Sequence, residues 1–79
     1  MELEQAFGEV LRELRRQRGL SQEALAFEAG VERNYVSLLE RGKNSASIRM
    51  IFKLCTALEV APSACLGRVE RRMAGARSK

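Results

Sequence analysis

A chain of 79 residues with three phenylalanines, one tyrosine, no tryptophan and a net charge of +4 is a single domain with an aliphatic core. A domain this small buries only ~60% of its unfolded surface, so its helices must pack economically or a partner must complete the core. It has no histidine and only Cys55 and Cys65, which excludes a Cys/His metal site; it also has no apolar run that would span a bilayer.

The acidic start MELEQAFGEV is the wrong composition for an export signal. A reduced, cytoplasmic protein without cofactor or metal is expected. Catalysis is disfavoured for the same reasons. Ser21, Ser37, Ser45, Ser47 and Ser63 lack a histidine base and any GxSxG context, no P-loop glycine run exists, and the glutamates read as solvent-facing helix positions. The chain is expected not to be an enzyme.

Phe7, Val10, Leu11 and Leu14 recur at helical spacing and predict a first helix over about 3–17. Arg15, Arg16 and Arg18 suit its C-terminal dipole, Gly19 its left-handed cap, and Leu20 the closing apolar contact. Ser21 is a good N-cap for a second helix with Leu25, Ala26 and Ala29 inside and Gly30 as its stop. A third helix, 33–40, buries Val36 and Leu39, and Gly42 ends it. After the polar loop KNSAS, Ser47 caps a fourth helix over 48–58, with Ile48, Ile51, Leu54, Cys55 and Leu58 inside. Pro62 fits the first turn of a fifth helix, whose apolar face is Leu66, Val69 and Met73. The fold expected is all-α: a five-helix bundle in one domain, 1–74, followed by a frayed basic tail, 75–79. Cys55 reads as core filler.

The second and third helices, joined by a short turn containing Gly30, describe a helix-turn-helix. In that motif the N-terminal end of the second helix enters the major groove. Charge agrees. Residues 33–53 carry Arg33, Arg41, Lys43, Arg49 and Lys53 against the single acid Glu40, a balance that suits a polyanion. Arg33 can bond guanine O6/N7 and Asn34 adenine N6/N7. Ser37 and Leu38 lie one turn further in; Leu38 touches a thymine methyl or packs. Gln22, at the start of the second helix, and Arg41 and Lys43, past the third, are candidate phosphate contacts. Tyr35 bonds a phosphate through its hydroxyl or packs on a helix face. Glu32, at the N-cap, suits the dipole but repels phosphate; it points at a cytosine N4 or swings away. The run RVERRM is a solvated face or an accessory DNA contact.

The stretch GLSQEALAFEAGVERNYVSLLERG resembles the XRE/Cro-type helix-turn-helix family, which includes lambdoid phage repressors. The elements LSQ, LA, AGV, YVS and ERG at these spacings carry the resemblance, which extends over about 7–66. RNYVSLLERG followed by IFKLCTALEV is most similar to the controller proteins of restriction–modification systems, small dimeric regulators of their own promoters. The resemblance implies a lambda-repressor-like fold, a homodimer on a pseudo-palindromic duplex operator, and Gln22, Arg33, Asn34, Tyr35 and Ser37 at the DNA. It also implies an ion pair between Arg15 and Glu40, and a dimer contact through the fifth helix, for which Cys65, Leu66, Val69 and Met73 are the candidates. RNA polymerase is a further candidate partner. The alternative is an antitoxin or other protein-interaction module of the same family, which the neighbouring gene would distinguish.

Overall fold

A computed structural model describes residues 1–77. It contains five helices and no strand among those residues: α1 (Leu3–Gln17), α2 (Gln22–Ala29), α3 (Arg33–Glu40), α4 (Ile48–Leu58) and α5 (Pro62–Arg77). Local signals account for nearly every boundary. The hydroxyls of Ser21 and Ser47 accept from the backbone N–H of Ala24 and Met50, at 3.0 and 3.1 Å, caps of the kind that contribute about 0.5–2 kcal/mol each. Pro62 opens α5 where its missing N–H costs nothing.

The first four helices end alike. The N–H two or three residues past each terminus returns to a carbonyl five residues back: Leu20 to Arg15, Val31 to Ala26, Lys43 to Leu38 and Val60 to Cys55, at 2.9–3.1 Å. This motif requires a left-handed residue just before that N–H. Gly19, Gly30 and Gly42 supply it three times, and Glu59 (φ 57°) supplies it the fourth. A residue with a Cβ is strained there. Glu59→Gly is therefore expected to stabilise the fold by ~0.5–1 kcal/mol, measurable as a higher denaturant midpoint. The substitution removes only an exposed contact with Arg18, at 3.5 Å.

α1 packs against α3 and α5, α2 against α3 and α4, and α4 against α5, which turns away from it by 106°. Where the five meet, Val10, Leu11, Leu25, Val36, Leu39, Leu54, Cys55 and Cys65 are fully buried. The core is aliphatic as expected, with Phe7 its one aromatic; Phe27 and Phe52 stand in solvent. α1 and α3 approach so closely that a Cβ on Gly8 would collide with the Leu39 carbonyl oxygen and stand 2.8 Å from that of Glu40.

Four sequence expectations need correction. Ile48 is 75% exposed and Ile51 only half-buried. Ile48 is the first residue of α4 and lies before the part of the helix that meets the core, whose buried residues are Leu54, Cys55, Ala57 and Leu58. Cys65 and Val69 are buried within the protomer, because they, and not Leu66, point from α5 into the core. Glu40 is 5% exposed, not solvent-facing. α5 continues through residues 74–77, where fraying was expected; the rest of the expected tail, Ser78 and Lys79, lies outside the described residues. No single helix among the described residues is long and apolar enough to cross a membrane.

Candidate nucleic-acid interface

Glu40, the last residue of α3, is the hub that sets the geometry of the helix-turn-helix. Its Oε2 accepts from Arg15 Nε at 2.6 Å, and its Oε1 accepts from Arg15 Nη2 at 3.0 Å and Gln22 Nε2 at 3.0 Å. Arg12 Nε stands 3.4 Å from the same Oε1. Arg15 is itself buried and donates from Nη1 to the Leu20 carbonyl at 2.8 Å. One carboxylate thus ties together α1, the end of α3 and the first residue of α2. Burial pushes the Glu40 carboxyl upward in pKa. The hydrogen bonds from Arg15 and Gln22, the Arg15 charge and the Arg12 bond outweigh it, so the group titrates below the usual range.

With Val36, Leu39 and Glu40 buried, the accessible surface of α3 is left to Arg33 and Asn34 at its leading end and to Ser37 and Leu38 behind them. Arg33 and Asn34 are exposed; Ser37 and Leu38 are half-buried. The side chains of Arg33, Asn34, Arg41 and Lys43 have no hydrogen-bond or ion-pair partner among the described residues, and Arg41 and Lys43 are exposed just past α3. Gln22 stands beside this face, with its amide N–H engaged by Glu40 and part of its surface open to solvent.

Tyr35 is half-buried and packs against the core. Its hydroxyl lies 3.5 Å from the Ser45 carbonyl, and Ser45 Oγ donates to Glu4 Oε2 at 2.9 Å. The loop between α3 and α4 is thereby pinned to the first turn of α1. Gly42 reinforces this, since a Cβ there would meet the Gln5 Cα at 3.1 Å.

The bases of α5 are differently employed. Arg68 Nη2 donates to Glu13 Oε1 at 2.8 Å, Arg72 Nη1 to Glu9 Oε1 at 3.1 Å, and Arg72 Nη2 to the other Glu13 oxygen. The Arg72 hydrogen bond holds the Glu13 carboxyl below its usual range. Arg68 and Arg72 are thus spent on α1 rather than offered as an accessory phosphate contact; Arg71 remains exposed. Of the residues expected at a dimer contact, Leu66 is exposed and Met73 half-buried, and Leu3 of α1 joins them on that side of the molecule.

Sequence reasoning did not find Gly8, the Gln22–Glu40 bond or the Ser45–Glu4 bond. A glycine interrupting the strong apolar stripe of α1 was the available signal for the first. The other two depend on elements distant in sequence, and no local spacing encodes them.

The helix-turn-helix family model HTH_3 matches residues 11–64. The chain belongs to this family of XRE-type transcriptional regulators. It is 42% identical over 57 residues to the control protein C.BamHI of Bacillus amyloliquefaciens, covering 71% of this chain and 70% of that protein. Among solved structures it resembles the restriction–modification controller protein C.AhdI from Aeromonas hydrophila, with 48% identity and a TM-score of 0.77, covering 78% of this chain and 94% of that one. It also resembles the clp gene regulator ClgR from Corynebacterium glutamicum, with 29% identity and a TM-score of 0.93, covering 99% of this chain and 83% of that one.

Proposed function

We propose that the chain is a homodimeric regulator that reads a pseudo-palindromic duplex operator and controls its own operon, of the restriction–modification type, in the cytoplasm. The observation that carries this reading is the leading end of α3, where Arg33 and Asn34 stand exposed with all their polar groups unspent. The similarity to C.BamHI and C.AhdI supports the restriction–modification context. Arg33 and Asn34 supply sequence choice, with Ser37 and Leu38 behind them. Arg41, Lys43 and Gln22 supply affinity through phosphates, and Tyr35 chiefly shapes the loop. Leu66 and Met73, with Leu3, are the side chains offered to a second protomer, which would set half-sites ~34 Å apart.

The test is a gel-shift titration on DNA from upstream of the gene, with competitor DNA. A discrete, competitor-resistant shift is expected, with an affinity that falls steeply with salt. A smear abolished by competitor would overturn the reading. Arg33→Ala is expected to cost ~1–3 kcal/mol at one base position and to relax preference there. An equal loss on every sequence would make Arg33 a phosphate contact instead.

A further inference from the structure

We propose that Glu32 is a further specificity-determining residue: its carboxylate admits only a base that presents an exocyclic amine in the major groove, cytosine through N4 or adenine through N6. The inference rests on the reading of α3 as the helix that enters the groove.

α3 is capped differently from α2 and α4. Ser21 and Ser47 spend their side chains on backbone N–H groups. Glu32 occupies the same position at the head of α3 and makes no side-chain cap bond. The Tyr35 N–H, which a serine there would engage, bonds the Glu32 carbonyl at 3.0 Å instead. Glu32 is exposed, and its side chain has no partner among the described residues. Glu2 heads α1 in the same way, without a side-chain cap bond; of the two, Glu32 is the one that stands next to the proposed reading residues, and it keeps its charge free.

That charge sits immediately before Arg33 and Asn34, on the side of the molecule that meets a polyanion. Against phosphate it is repulsive. In the major groove it faces four base edges of two kinds. Guanine offers N7 and O6 and thymine offers O4, all acceptors; cytosine offers the N4 amine and adenine the N6 amine. An ionised carboxylate is acceptor-only. It gains a charge-assisted hydrogen bond from an amine and faces an unpaired acceptor otherwise. Arg33 carries only donors and Asn34 both kinds, so the three consecutive side chains have complementary requirements.

The experiment is site selection from a random duplex library, followed by titration of single-base variants of the selected site. It compares the wild-type protein with Glu32→Ser and Glu32→Gln. Glu32→Ser restores the cap chemistry of Ser21 and Ser47, and its melting curve verifies that it folds. At one position per half-site the wild type is expected to prefer cytosine or adenine by about five- to 150-fold. Glu32→Ser is expected to lose that preference with the other positions unchanged. Glu32→Gln, which can donate as well as accept, is expected to admit guanine or thymine there. Equal tightening on every sequence by both variants would overturn the proposal and leave only charge repulsion. Unchanged selection by both would place the carboxylate away from the bases and overturn it as well. A wild-type protein that selects no sequence would instead overturn the DNA-reading function on which the proposal rests.

Discussion

Glu40→Ala is expected to lose ~3–5 kcal/mol of stability, the cost of breaking a buried ion pair by removing one partner. Arg15 remains 8% exposed with the Leu20 carbonyl as its one remaining partner. A guanidinium so placed has neither water nor a counter-charge. For a domain of this size, whose whole stability is ~4–12 kcal/mol, such a loss removes roughly a quarter of it to all of it. Urea denaturation measures it directly. The double variant Arg15→Met with Glu40→Ala separates the causes: removing both charges is expected to be milder than removing Glu40 alone. A Glu40→Ala loss under 1 kcal/mol would show that Arg15 escapes to solvent. The same pair sets an acid limit. The Glu40 carboxyl titrates below its ordinary value in the folded chain, so its contribution is complete above the unfolded value of about 4.3. It is lost as pH falls from there through the lower folded value. Wild-type stability is expected to decline over that range, and Glu40→Ala to decline less.

Gly8→Ala is the second large effect. The added methyl would strike the carbonyl of Leu39 and crowd that of Glu40. Both are backbone atoms, at the buried end of α3, so no side chain can rotate away. Overpacking of this kind costs ~1–3 kcal/mol when neighbours can shift, and more when they cannot. A melting temperature lower by roughly 10 °C or more is expected. The shift that relieves the clash moves the end of α3 away from α1, stretching the Arg15–Glu40 bonds. Stability and DNA affinity are therefore expected to fall together. A variant melting within ~2 °C of wild type would show that α1 and α3 separate at little cost.

The residues that were legible in the sequence are those whose role is settled within a few neighbours. Ser21 and Ser47 announced helix starts, Gly19, Gly30 and Gly42 announced stops, and Phe7, Val10, Leu11 and Leu14 declared a face by spacing alone. All five helices follow from such signals. Periodicity identifies a face but not how far along it the core extends. For that reason Ile48, at the edge of α4, was misplaced, and Cys65 and Val69 were assigned to a partner when their own protomer buries them. Charge runs identify bases but not their neighbours: RVERRM reads as available, yet Glu9 and Glu13 of α1 occupy Arg68 and Arg72. The Arg15–Glu40 pair came from resemblance to the family; geometry shows it buried, with Gln22 joined to it.

α3 keeps two vocabularies on separate sides of eight residues. Val36, Leu39 and Glu40 speak only to the protein, through burial and the ion pair to α1. Arg33 and Asn34, at its leading end, are exposed, and their side chains bond to nothing among the described residues. Letters on the outer side can be rewritten while the inner side continues to dictate where the helix stands. The scaffold is thus a holder for interchangeable type: on the proposed reading, outer-side changes alone would redirect such a protein to a new operator while the buried side of α3 stays as it is.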